Sequence, residues 1–174
     1  FQLAADEPQQ FSDWSAPVHL GSIVNSTSTD IEVSISKDGL SLYLASNRPG
    51  GLGGFDIWVS QRASVDDPWG PPQNLGPTIN TSFNDQAPSV TIDGHRMYFF
   101  SNRPGGFGGN DLYVSRRRDK RDDFGWQAPE NLGSGVNSDL SNVKGRHDAN
   151  MSDTGADDTF TVAWIQPNLL SAGN

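Results

Sequence analysis

The amino-acid sequence echoes itself at an interval of 55 residues, and a chain with that property is bound to build the same local structure more than once. Ser46-Asn47-Arg48-Pro49-Gly50-Gly51 returns as Ser101-Asn102-Arg103-Pro104-Gly105-Gly106. At the same shift Trp14 meets Trp69, Leu20-Gly21 meets Leu75-Gly76, Asn25 meets Asn80, and Asp38-Gly39 meets Asp93-Gly94. Asp56-Ile57-Trp58-Val59-Ser60 meets Asp111-Leu112-Tyr113-Val114-Ser115. A third copy opens at Trp126, where Pro129, Asn131-Leu132-Gly133 and Val136-Asn137 repeat the start of the second at a shift of 57. The two extra residues fall in 116–125, a loop where insertion costs little.

Strands can be read inside each copy. Ile31, Val33 and Ile35 alternate with Glu32, Ser34 and Ser36, the period of a half-buried strand. Asp38-Gly39 is a hairpin signal, and the apolar run 40–45 that follows is the next strand. With 14–20 and 55–60 this predicts four short strands in the first copy, and near 69–75, 87–92, 96–101 and 111–116 in the second. Four antiparallel strands per copy, each copy with its own aromatic and Gly motif, predict an all-β chain of β-propeller blades. The blades are expected at about 14–62 and 69–117, with a degenerate partial blade over 126–174, all in one domain spanning 1–174. A β-sandwich is the competing architecture, but it has no need of identical loop chemistry at a fixed period.

The pattern Ser-x-Asp-Gly-x-x-Leu-Tyr-x-x-Ser-Asn-Arg-Pro-Gly-Gly, followed by Gly-Gly-x-Asp-Ile-Trp-Val-Ser, resembles the Pro-Asp propeller repeats of the TolB type. Those repeats are related to WD-repeat propellers. The resemblance runs from Trp14 to about Asn137 and implies a bacterial protein of the periplasm or the secreted fraction. The stretch 139–174 lacks the pattern; Trp164-Ile165-Gln166-Pro167-Asn168 stands where a Gly-rich loop is due. About two and a half blades do not make a ring, since closed propellers have about four to eight. An open arc leaves strand edges and apolar faces uncovered. Ring completion by a homo-oligomer, membership of a longer polypeptide, and an open monomer capped by its own ends are the three resolutions.

Composition narrows the partners. A net charge of −9 argues against a nucleic-acid ligand and against an anionic membrane surface. No apolar run approaches the length of a membrane span. The absence of cysteine excludes disulfides, thiolate chemistry and zinc ribbons.

Among candidate sites, the Gly-rich loops 50–56 and 105–111 place Arg48 and Asp56, and Arg103 and Asp111, on opposite limbs, which predicts a fixed ion pair in each blade. Residues that repeat are expected to maintain the blade, so a site is sought where the copies differ. Glu32 faces Ala87, His95 faces Leu40, Arg96 faces Ser41, and His19 faces Asn74. His95 and Arg96 could present a base and an anion clamp on a hairpin, with His19 a further ligand-binding candidate. The run 116–121 holds five of the twelve basic residues, either a solvated loop or a patch for an acidic partner. Asp148, Asn150 and Ser152 match the first positions of a calcium loop, although Asp153 replaces its glycine. No cofactor is expected beyond that calcium possibility.

No nucleophile elbow, P-loop, zinc helix or dinucleotide fingerprint occurs. The leading expectation is a non-catalytic module that binds a protein or glycan ligand. A glycosidase-like hydrolase is the alternative, with Glu32, Asp30 and Asp85 as the candidate carboxylates. A purely structural piece is the third reading.

Overall fold

The computed structural model describes residues 16–137. They form two four-stranded antiparallel sheets, and no helix is found among the described residues. The first sheet has the order β1 (Asp30–Ile35), β2 (Ser41–Ser46), β3 (Asp56–Gln61), β4 (Gln73–Asn74). The second repeats it with β5 (Asp85–Val90), β6 (Arg96–Ser101), β7 (Asp111–Arg116) and β8 (Glu130–Asn131). The sheets are consecutive along the chain, as the 55-residue echo requires.

The Asp-Gly turn does what the sequence predicts, and β1 forms where the alternation lies, but its apolar residues are not its buried face: Val33 and Ile35 are exposed. Asp38 holds the turn by accepting the Ser36 hydroxyl at 2.6 Å and the Leu40 N–H at 3.2 Å, while Gly39 takes φ 73°. One irregularity was not legible. The register of β1 slips between Ile31 and Ser34, and that of β5 between Gln86 and Ser89. At the centre of each bulge a residue with a side chain takes positive φ, Glu32 at 55° and Ala87 at 53°.

The fourth strand departs from the sequence reading. The segments 14–20 and 69–75 are predicted as first strands of their own copies, but β4 lies within 69–75 and closes the sheet of the preceding copy. Trp58 pairs with Asn74, and Val59 with Gln73. Likewise β8, in the opening segment of the third copy, pairs with β7. Residues 16–20, in the corresponding place at the head of the chain, are not in a strand.

The two sheets share one hydrophobic core. Tyr43, Ile57 and Val59 from one face of the first sheet meet Met97, Phe99 and Tyr113 from one face of the second, with Leu75, Ile79 and Trp126 between them. Tyr43 lies edge-on to Trp126 at 6.3 Å, and Phe99 stacks on Tyr113 at 5.9 Å. β1, β2 and β3 all contact β5, so the second sheet lies across the face of the first. Among the described residues no helix is long and apolar enough to cross a membrane.

Candidate functional site

Antiparallel order sends the chain's loops to two ends. The β2–β3 loops and the β4-to-β5 connection lie at one end; the Asp-Gly turns lie at the other with the loops after β3 and β7. Both ends are anchored by polar clusters that recur from sheet to sheet.

Arg48 and Asp56 do not pair, and neither do Arg103 and Asp111. The Arg48 guanidinium reaches Asp30 at 2.7 Å, the Ser46 hydroxyl at 2.9 Å and the Val24 carbonyl at 2.9 Å. Arg103 does the same with Asp85 at 2.6 Å, Ser101 at 2.9 Å and the Ile79 carbonyl at 2.7 Å. The reason for the different pairing is that the Gly-rich loop turns its own amides onto the aspartate. Asp56 accepts the Leu52 and Gly53 N–H groups and the Asn74 carboxamide at 2.5–3.1 Å. Asp111 accepts the Phe107 N–H at 2.5 Å and Asn131 at 3.2 Å, while its Oδ1 has no partner. Backbone amides aimed at a carboxylate favour its charge and take the place a cation would need. No His, Asp or Glu grouping suited to a metal ion is found among the described residues.

A second repeated device ties the outer strand to the sheet. The Asn80 carboxamide accepts the Ile57 N–H at 2.8 Å and donates to the Ile57 carbonyl at 2.9 Å and to Asn74 at 2.9 Å. Asn137 treats Leu112 and Asn131 in the same way.

The basic run 116–121, expected as a solvated loop or an acidic-partner patch, holds the most buried ion pair described. Arg117 and Asp123 meet at 2.6 Å with side chains 1% exposed. Asp123 also accepts the Ser41 hydroxyl at 2.6 Å, Gln61 Nε2 at 2.7 Å and the Tyr43 phenol, so the loop after β7 locks onto the first sheet. Burial, and then the Asp123 charge, push the Tyr43 phenol far above its ordinary value, which keeps it a donor at any physiological pH. Arg117 lies 4.3 Å over the Trp126 ring, as Arg62 lies 4.3 Å over Trp69. The repetition of Arg and Trp at these places was the signal in the sequence, and an aspartate stands three residues before each of these two Trp, Asp66 and Asp123.

The candidate carboxylates are each engaged in hydrogen bonds that hold the sheets. Asp30 and Asp85 occupy equivalent places in separate sheets, each bound to its arginine. Burial disfavours the Asp30 charge, but hydrogen bonds from Ser46, the Ser26 amide and Arg48 outweigh it and hold the carboxyl below its ordinary value. Glu32 accepts the Ala87 N–H at 2.7 Å, so its difference from Ala87 in the repeat serves the junction between sheets. His95 is exposed on its hairpin with Nδ1 3.0 Å from the Arg117 carbonyl, and Arg96 begins β6. His19 lies near the start of the described residues, with Asn25 Nδ2 3.2 Å from its Nε2. The hydrogen bonds of His19 and His95 each run to their own surroundings, Gly21 and Asn25 for the first and Asp93 and Arg117 for the second. Asp148, Asn150 and Ser152 lie outside the described residues.

A feature not singled out in the sequence is the apolar rim at the Gly-loop end. Leu52 and Phe107 occupy equivalent loop positions and are 42% and 47% exposed, and Phe83, on the connection between the sheets, is 40% exposed. The first loop packs tightly there: Gly54 N–H donates to the Phe83 carbonyl at 3.2 Å, and Phe55 N–H to Asn84 at 3.0 Å. Three apolar side chains are thus held outward on a fixed backbone. Comparison with protein-family models and with curated proteins finds no match for this chain.

Proposed function

We propose that this chain is a non-catalytic β-propeller-type module, acting in the bacterial periplasm or outside the cell, that binds a protein or glycan ligand at its Gly-loop end. The observation that carries the reading is the outward-facing set Leu52, Phe83 and Phe107 on loops pinned by Asp56, Asn84 and Asp111. Exposed apolar groups on a rigid polar frame give contact area at little cost in ordering. The engagement of Asp30, Asp85 and Glu32 in structural hydrogen bonds supports binding over hydrolysis. The stacking of two like sheets supports a propeller arc, to be completed by further sheets from copies of the chain or from a longer polypeptide.

The test is a paired screen of a glycan array and an array of bacterial envelope proteins, using the chain and a Leu52→Ser/Phe107→Ser variant. Retention of one ligand by the first and its loss by the second, at unchanged melting temperature, is the expected result. A parallel screen with chromogenic glycosides is expected to show no turnover. Turnover abolished by Glu32→Gln would replace the binding reading with the hydrolase one.

A further inference from the structure

The segment 18–25 carries the whole outer-strand device of this fold, and among the described residues no third strand receives it. Leu75 and Leu132 each donate a backbone N–H to the third strand of a sheet, to the Ile57 and Leu112 carbonyls, at 3.1 Å. Leu20 is their equivalent in the repeat, and it is 47% exposed where Leu75 is 6% exposed. Asn80 and Asn137 read the N–H and C=O of a third-strand residue. Asn25 is their equivalent, and among the described residues its carboxamide meets only the His19 ring, Nδ2 lying 3.2 Å from Nε2.

The adjoining face of β1 is in the same condition. Where the second sheet offers the first a buried Pro88 and a core-packed Val90, the first sheet carries Val33 and Ile35 at 67% and 52% exposure. Val18 and Ile23 are exposed as well. At the junction between the two described sheets the equivalent groups, Leu75, Ile79 and Val90, belong to one apolar cluster.

His19 fits the same purpose although it replaces an asparagine. Its Nδ1 accepts the Gly21 N–H at 3.0 Å, as Asn74 Oδ1 accepts the Gly76 N–H at 2.8 Å. An imidazole accepting at Nδ1 carries its proton at Nε2 when neutral. Asn74 and Asn131 use the corresponding N–H to donate to Asp56 and Asp111 at the head of a third strand. Nε2–H can donate to such a carboxylate in their place once Asn25 Nδ2, 3.2 Å away, turns from the ring to the partner strand's backbone.

We propose that residues 18–25 and the exposed face of β1 are a docking site for a further sheet of this same repeat. The partner has a third strand with a free edge and an aspartate at its head. Val18–Leu20 completes that sheet as its outer strand, Asn25 reads its backbone, His19 takes its aspartate, and Val33 and Ile35 are covered by its apolar face. The inference rests on the stacked-sheet part of the proposed function and is independent of the ligand at the Gly-loop end.

The test is a tandem chain in which residues 1–125 are joined directly to 14–174, so that Trp14 of the second half takes the place of Trp126. The free third-strand edge of the first half then meets residues 18–25 of the second. Protection of the second-half Leu20 amide from hydrogen exchange should rise by about a hundredfold over the single chain, with Asn25→Ala there reversing it. A Leu20 amide that exchanges in the tandem as fast as in the single chain overturns the proposal. Should the tandem not fold, the single chain still decides. Asn80→Ala is expected to lower its urea midpoint and Asn25→Ala to leave it unchanged, and equal losses would show that Asn25 serves only its own loop. Neither result bears on Leu52 and Phe107, so this inference and the ligand-binding reading fail separately.

Discussion

Asp123 gathers more of the tertiary structure than any other single side chain described. Its carboxylate receives Arg117 at 2.6 Å, Ser41 at 2.6 Å, Gln61 at 2.7 Å and the Tyr43 phenol, and so ties a loop of the second sheet to two strands of the first. Asp123→Ala leaves the Arg117 charge buried without its counter-ion and strips acceptors from three donors. It is expected to cost about 3–5 kcal/mol in a urea titration, the range for breaking one side of a buried pair. Asp66→Ala, on the exposed counterpart loop, is expected to change stability by less than about 0.5 kcal/mol. The contrast separates a lock from a surface charge; the Arg116–Glu130 pair, half exposed at both ends, belongs with the latter.

At the scale of elements, the Gly-rich loops are shaped by close approach as much as by backbone angle. A Cβ on Gly53 would lie 1.9 Å from the Phe83 carbonyl oxygen and 2.5 Å from that of Thr81, both backbone atoms of the connection to the second sheet. Nothing lies within 4 Å of a Cβ on Gly135, which has an unstrained φ. Gly53→Ala is therefore expected to destabilise by about 1–3 kcal/mol, and Gly135→Ala to be close to neutral, when the two are compared by thermal unfolding. The same loop shows why the ion pair expected from sequence is not made. Opposite limbs of a loop look like partners on paper, yet the Leu52 and Gly53 amides reach Asp56 first, and Arg48 is left to span to β1.

For the molecule as a whole, acid is the informative stress. Burial opposes the charges of Asp30 and Asp93, yet their hydrogen bonds win and both are held below the ordinary aspartate value of 3.8; Asp38 is lowered first by the Ser36 hydroxyl. A carboxyl with a lowered folded pKa contributes stability that is complete above its unfolded pKa and is lost as pH falls through the folded one. Stability is therefore expected to hold from neutral pH down to about 5 and to decline below about 4, read as a falling urea midpoint. Asp38→Asn should make that decline shallower. Because the core and the Asp123 lock are shared by both sheets, unfolding is expected as one transition by fluorescence and by circular dichroism.

Much of this was written locally in the chain. The period-two pattern of 31–36, the Asp-Gly turns and the 55-residue echo were enough to expect successive four-stranded antiparallel sheets, because strand periodicity and turn geometry depend on neighbours a few residues away. What a strand pairs with depends on which edge is near in space, and that is why 69–75 read as a beginning and folds as an ending. The pairing of Arg48 with Asp30, the burial of Arg117 and the contrast between Leu20 and Leu75 are of the same kind. Each is decided by the packing of one sheet against another, where distance and desolvation choose among partners that composition and spacing leave equal.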